Sequence, residues 1–403
     1  MKRLKIFTGI YLTVWSLIIG IATAAYLDLV NWVIDFFWKL LPSALGIADV
    51  WRPLFICLPL SIIVGLSQAK LGAYPLTIAQ ILDEMRIKGY FSYQRWWKIL
   101  FSALLILGAG ASVGPEASAS GLVVGMIYWL GCRYKLIRTQ ESALLEDPWH
   151  QQLRIIWLSR TSKCLVSQPL ATFFKNKRQQ KIFYACWTFV GLIGCGIFFY
   201  IFPQEGVFGI HHPKINWQWQ GLLGVLPAII VGWLFGYFFV KLGQFSERWL
   251  GRDRHHLLKA IAGGLILVLA AAFSPMSLFS GEFSIIPFAH SSLQLAPAFL
   301  FVLAILKATI TNLGFSLGWR GGTIFPAIFS SLAIGAWLAH FIPWMPRLTV
   351  SLVVASSLTV ILEKPVLTAV LLWLLLPIQF SILILLTCLL VGQVNKRVNF
   401  LKL

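Results

Sequence analysis

Gly108-Ala-Gly-Ala-Ser-Val-Gly-Pro-Glu-Ala-Ser-Ala-Ser-Gly121 is the stretch on which the fold turns. It lies between two apolar runs and consists almost entirely of small residues, which let backbone approach backbone or a ligand. Pro115 stands where a helix would begin, because its missing N–H costs nothing in a first turn. A helix starting there aims its N–H groups and the positive end of its dipole back at the glycine-rich turn. That arrangement attracts anions without a lysine. The stretch reads as half of an anion site buried in a membrane.

The membrane follows from composition. Of 403 residues, 58% are hydrophobic and only 12% are charged, whereas soluble domains carry roughly 25% charged residues. The chain reads as an all-α polytopic membrane protein, multi-pass, in the cell (plasma) membrane. Its net charge of +19 comes from 33 Lys and Arg against 14 Asp and Glu. On a soluble protein that excess would suggest nucleic acid. Here it marks cytoplasmic loops facing anionic lipid, and no nucleic-acid partner is expected. A positive field also concentrates anions at a pore mouth. The six cysteines are scattered, mostly within apolar runs and without a Cys-x-x-Cys, so they read as small core residues. His211-His212 and His255-His256 are too weak a signal to imply a metal, and no cofactor is implied. The absence of an intramembrane His/Asp/Glu cluster or a His-Glu-x-x-His motif argues against an enzyme.

Working outward from the opening stretch, Ile99–Pro115 and Ala117–Cys132 flank it as apolar segments. Ile6–Tyr26 is a first span whose start Lys2, Arg3 and Lys5 hold in the cytoplasm, with Leu29–Trp38 an interfacial piece or short continuation. Pro53–Ala69 follows, then a Gly–Pro break and a helix start at Ile78. Residues 133–181 are dense in Arg and Lys and read as a basic cytoplasmic segment. Further segments are Ile182–Phe202, Gly221–Val240, Ala260–Phe279, Leu295–Leu306 and Ala308–Trp319 around Lys307, Gly321–Pro346, and Leu348–Leu362. A charged loop is expected from Glu247 to Lys259. Pro365–Asn395 has 31 uncharged residues, too many for one span, and Pro377 divides it. The sum is about eleven to thirteen segments, several short or broken, as in folds whose discontinuous helices meet at a midplane site.

The chain also echoes itself. Gly110-Ala-Ser-Val-Gly-Pro115 and Gly321-Gly-Thr-Ile-Phe-Pro326 each run from Gly to Pro after an apolar segment, and each continues into a small-residue helix. Gln168-Pro-Leu-Ala-Thr172 and Lys364-Pro-Val-Leu-Thr368 repeat in the same order. Two echoes in order suggest a duplication, with residues 1–181 as one half and 182–403 as the other. An inverted structural repeat, built with discontinuous and short tilted helices, would set the two copies face to face.

At these residues the chain resembles the CLC family of chloride channels and chloride/proton exchangers. That family carries Gly-Arg-Glu-Gly-Pro in its first half and Gly-Gly-Ile-Phe-x-Pro in its second, matched here by residues 111–115 and 321–326. Its Gly-Ser-Gly-Ile-Pro falls on Leu71-Gly-Ala-Tyr-Pro75, and its Asn-Ala-Pro-Leu-Ala-Gly resembles Ser167–Thr172. Ser280-Gly-Glu-Phe-Ser-Ile-Ile-Pro287 is similar to the turn before the second motif. The resemblance implies a homodimer with one pore per subunit. It implies a partly dehydrated anion, chloride or similar, held mostly by backbone amides, the relevant positions being Gly72, Ala73, Gly110, Ala111, Ser112, Val113, Gly114, Pro115, Gly321, Gly322, Thr323, Ile324 and Phe325.

The departures shape the functional expectation. The family's gating glutamate falls on Val113, its coordinating serine on Gly72, and its cytoplasmic proton-passing glutamates near Gln179 and Gln180. The tyrosine near its C-terminal end has no clear counterpart. Proton exchange needs titratable carriers along the path. The expectation is therefore a passive chloride channel, with an exchanger or a secondary transporter of another small anion as the alternative. Glu116 either replaces the lost gate or is a first-turn acid stabilised by the dipole. Arg320 either draws anions inward or snorkels to the interface, and Lys307 is expected to snorkel. Ser112 and Thr323 could offer hydroxyls to the anion, although such residues more often bond their own helix.

Overall fold

The computed structural model describes residues 2–140, 147–158, 174, 176–203, 217–251 and 255–398. The second echo, Gln168–Thr172, and His211-His212 lie outside the described residues. Regular structure among the described residues is helical, apart from one isolated antiparallel bridge between Gly114 and Gly322. The helices used below are α1 Lys2–Asp35, α2 Arg52–Leu71, α3 Ile78–Lys88, α4 Trp96–Gly108, α5 Glu116–Thr139, α6 Trp149–Leu158 and α7 Lys177–Ile201. They continue as α8 Val225–Leu250, α9 His256–Phe273, α10 Pro297–Ser316, α11 Ile324–Ala339, α12 Pro346–Leu362, α13 Pro365–Trp373 and α14 Ser381–Val398. Seven helical stretches among the described residues are long and apolar enough to cross a membrane, while α11 and α12 are apolar but shorter. At about 1.5 Å per residue these two reach only about 25 Å, short of a hydrocarbon core of about 30 Å.

Contacts divide the chain into two compact units, one of residues 1–33, 74–104 and 115–204, the other of residues 34–73, 105–114 and 205–403. In the first unit, α3 begins at a capping box in which Thr77 and Gln80 satisfy each other's backbone N–H groups. It stops at Gly89, whose φ of 72° a side chain would resist. Helices α1 and α7 meet through small residues. A Cβ on Gly20 would fall 1.8 Å from the Gly191 carbonyl oxygen, and one on Gly194 would fall 2.4 Å from that of Leu17. Such closeness is how helices associate where lipid offers no hydrophobic drive.

The apolar pattern does not end at Cys132, as expected from sequence. Helix α5 runs on to Thr139, and Arg133 and Lys135 are buried in it. The Arg133 Nε donates to the Tyr11 hydroxyl at 3.0 Å, and its other nitrogen donates to the Ile156 carbonyl on α6. Its guanidinium also lies 5.5 Å from the centre of the Tyr11 ring. These partners replace the water that burial removes, so charge density alone misplaces the helix end.

In the second unit, α8 packs on α12 where Gly232 faces the Val353 carbonyl and Gly236 faces that of Ser357. The Ser356 hydroxyl ties the pair by donating to the Ile229 carbonyl at 2.7 Å. Phe288 and Phe329 meet with ring centres 4.6 Å apart and planes tilted by 34° within the core formed by α8, α10, α11, α12 and α14. Three segment readings change here. Helix α8 continues through Glu247 to Leu250, so the expected charged loop begins later. The apolar run starting at Ala260 ends its helix at Phe273, because Ser274 turns extended and caps a short 3-10 turn that begins at Pro275. Helix α10 passes unbroken through Lys307. Pro377 does separate α13 from the turn that opens α14.

Candidate functional site

The first glycine-rich break is a non-helical, buried segment of turns between α4 and α5. Residues 109–114 are all buried. Gly110 has φ of 81°, and a Cβ there would lie 2.5 Å from the Trp38 ring. The position demands glycine on both counts. Trp38 also donates its indole N–H to the Gly108 carbonyl at 2.9 Å, and Phe279 donates its backbone N–H to the Gly110 carbonyl at 3.0 Å.

The second break meets the first directly. The Gly114 N–H donates to the Gly322 carbonyl at 2.8 Å, and the Gly322 N–H returns a bond to Gly114 at 2.9 Å. A Cβ on Gly321 would come within 2.5 Å of a Val113 methyl. Val113 is 2% exposed and packs on the Gly321 backbone. The two echoed Gly–Pro segments are thus crossed antiparallel, held by main-chain atoms.

The crossing leaves amides unspent. Among the described residues, the backbone N–H groups of Ser112, Gly321 and Thr323 donate to no protein acceptor. Ser112 and Gly321 are buried, and a buried donor without an acceptor costs about 1–3 kcal/mol unless something else binds it. Thr323 is the residue before α11, whose first turn begins with Ile324 and Phe325. The Ser112 hydroxyl is committed elsewhere. It lies 2.9 Å from the Thr311 hydroxyl, which itself donates to the Lys307 carbonyl at 2.8 Å. Since Thr311 has one hydroxyl hydrogen, Ser112 donates to Thr311.

Lys307 does not snorkel. It is 0% exposed, and its Nζ lies 3.2, 3.1, 2.8 and 2.6 Å from the carbonyls of Met276, Ser277, Leu278 and Phe279. The Phe329 ring stands 5.2 Å away. The lysine gathers the carbonyls left over where α9 stops early, and Phe279 holds a φ of 56° at the end of that turn. Sequence reasoning missed Thr311, Phe279 and Trp38 as supports of the crossing. For Thr311 a signal existed, since it lies one helical turn beyond Lys307.

The remaining expected residues are placed as follows. Gly72 ends α2 with φ of 98°. The carbonyl of exposed Ala73 accepts a bond from the Arg320 guanidinium at 3.3 Å. Arg320 lies 4.6 Å from the centre of the Phe315 ring. An arginine so placed remains a cation. Pro115 and Glu116 belong to the first unit, where Pro115 caps α5 and Glu116 opens it. There, Ser118 and Ser120 bond carbonyls of their own helix, at Pro115 and Glu116. Gln179 and Gln180 lie in the first turn of α7.

The model of the voltage gated chloride channel family matches residues 173–395, more than half of the chain. The chain belongs to this family. The matched range contains α11 and the second break, whereas the first break lies outside it. The chain is also similar to the Shigella flexneri protein YfeO, named for ion transport, at 23% identity over 88% of this chain and 85% of its own. YfeO of Escherichia coli (strain K12 / DH10B) is 22% identical over the same shares. The fold is that of solved CLC structures. A slow cyanobacterial chloride/proton antiporter superposes with a TM-score of 0.66 at 20% identity, covering 96% of this chain and 93% of its own. A CLC-type fluoride/proton antiporter gives 0.65 at 15% identity, covering 96% and 95%. The chain is therefore an all-α, multi-pass member of the chloride channel family.

Proposed function

We propose that this chain is a passive channel of CLC type for chloride or a similar halide, holding the anion on backbone amides and helix N-termini at the membrane midplane. The observation that carries the reading is the crossing of residues 110–114 with residues 321–323. It presents the unspent N–H groups of Ser112, Gly321 and Thr323 where α11 begins. Peptide dipoles suit a halide because they attract it without trapping it as a fixed cation would. Gly72, Ala73 and Ala111 complete the path in the second unit, with Ile324 and Phe325 in the first turn of α11. Val113 occupies the gate position and brings no charge. We further propose a homodimer in the plasma membrane, with residues 1–181 and 182–403 as the two inverted copies.

The test is anion flux from liposomes holding the purified protein under a chloride gradient. Efflux that ignores an imposed proton gradient supports a channel. Proton uptake in fixed ratio to chloride overturns passivity and leaves exchange. One set of observations favours that second reading: the solved structures of like fold named above are titled as antiporters. An exchanger would need a carboxylate to carry the proton, and Glu116, the first residue of α5, stands nearest in sequence to the gate position.

A further inference from the structure

In the first unit, the opening turns of α1 meet the last turns of α5 and the middle of α7 around a cavity of about 300 Å³. Its walls include Lys5, Gly9, Leu12, Tyr134, Arg138 and Trp187. Lys5 and Arg138 are exposed, and no carboxylate lines the cavity among the described residues. Thr8 is the one further polar group in the wall, and its hydroxyl donates to the Leu4 carbonyl of its own helix at 2.8 Å. Two cations thus share one cavity with apolar and aromatic side chains. On α1, Lys5, Gly9 and Leu12 fall on one helical stripe. Ile6 and Ile10 form the stripe beside it and are 59% and 51% exposed. Gly9 keeps the wall open, because a Cβ there would meet no atom within 4 Å.

We infer that this cavity seats the headgroup of an anionic phospholipid, with its phosphate on the Lys5 and Arg138 cations and its acyl chains along Ile6 and Ile10. A soluble phosphate gains little from an apolar wall, and a neutral apolar molecule gains nothing from two cations. A lipid uses both at once, at the level where the membrane meets water. Tyr134 and Trp187 suit that level, since each ring joins an apolar body to a polar edge. The positive-inside rule puts the Lys2, Arg3 and Lys5 end of α1 in the cytoplasm, where the leaflet carries anionic lipid. The volume holds a phosphate and its glycerol but not acyl chains, so the chains need the exposed stripe outside. A lipid seated there joins α1, α5 and α7. The site is separate from the anion path, because its walls belong to the first unit and the crossing of the two breaks belongs to the second.

The experiment is native mass spectrometry of the full chain purified in detergent, titrated with phosphatidylglycerol or with phosphatidylcholine of the same acyl chains. Wild type is compared with Lys5→Gln, Arg138→Gln and Gly9→Leu. Wild type is expected to take up one phosphatidylglycerol ahead of the rest, about tenfold more tightly than phosphatidylcholine. Lys5→Gln and Arg138→Gln are each expected to weaken that first uptake roughly fivefold. Gly9→Leu fills the cavity from a position where its Cβ meets no neighbour, and it removes a helix glycine. It is expected to lose the first uptake while unfolding at no lower temperature than wild type in lipid-free detergent. Glycerol phosphate, which has the headgroup chemistry without chains, is expected not to compete. Equal uptake of the two lipids, or unchanged phosphatidylglycerol affinity in Lys5→Gln and Gly9→Leu, overturns the site. Full competition by glycerol phosphate overturns a lipid as its occupant. Should Arg138→Gln or Gly9→Leu fail to fold, Lys5→Gln, which alters an exposed side chain near the start of α1, still decides.

Discussion

Gly114 and Gly322 exchange two backbone hydrogen bonds, at 2.8 and 2.9 Å, across segments 208 positions apart (322 less 114). The neighbouring pair, Val113 and Gly321, is packed without slack, since a Cβ on Gly321 would reach 2.5 Å from Val113. Gly321→Ala is therefore expected to destabilise the protein by about 1–3 kcal/mol through overpacking. Adding Val113→Ala should recover much of that loss. Thermal unfolding in detergent over the four-member mutant cycle checks it, and additive losses would mean that the two residues do not share one space.

Val113→Glu is expected to make flux depend on pH. An ionised carboxylate at the crossing competes with the anion, and its protonation removes the competitor. Flux should then rise as pH falls, whereas wild type stays flat over the same range. A variant with a flat profile would place Val113 away from the constriction.

Lys307→Met is expected to cost about 3 kcal/mol. It leaves the carbonyls of residues 276–279 without their donor in a site closed to water. Denaturation monitored by tryptophan fluorescence would show the loss, together with weaker protection of the Phe279 amide in hydrogen exchange. Stability equal to wild type would mean that water or another group serves these carbonyls.

In the first unit, Tyr11→Phe is expected to cost about 1 kcal/mol, since Arg133 retains the Ile156 carbonyl and the ring face. Arg133→Met removes the donor from both partners and should cost more in the same assay. If Tyr11→Phe proved the more damaging of the two, the guanidinium would not be the centre of that cluster.

The helical membrane fold was legible because composition and Gly–Pro punctuation act locally. Pro377 divides the last apolar run as its ring chemistry requires, and the echo of residues 110–115 in 321–326 foretold a meeting of the two breaks. What failed were inferences drawn from charge alone. Arg133, Lys135 and Lys307 looked like ends or interface residues because a lone cation in an apolar run ordinarily seeks water. Their partners, Tyr11, the Ile156 carbonyl and the turn at residues 276–279, are remote in sequence and become available only in three dimensions. The hydroxyl of Ser112 shows the same limit, since Thr311, which engages it, lies 199 positions away.

Because the joint between the breaks is written in peptide groups, it restricts the size of its residues more than their chemistry. Any residue small enough to fit supplies the same amide and carbonyl, so a lineage can lose the lettering of a motif and keep its architecture. Val113 packs on the Gly321 backbone, and the junction is built around it from main-chain atoms. Descendants of such a scaffold are free to trade one transport chemistry for another by altering a few side chains at its margins, while its centre stays as it was.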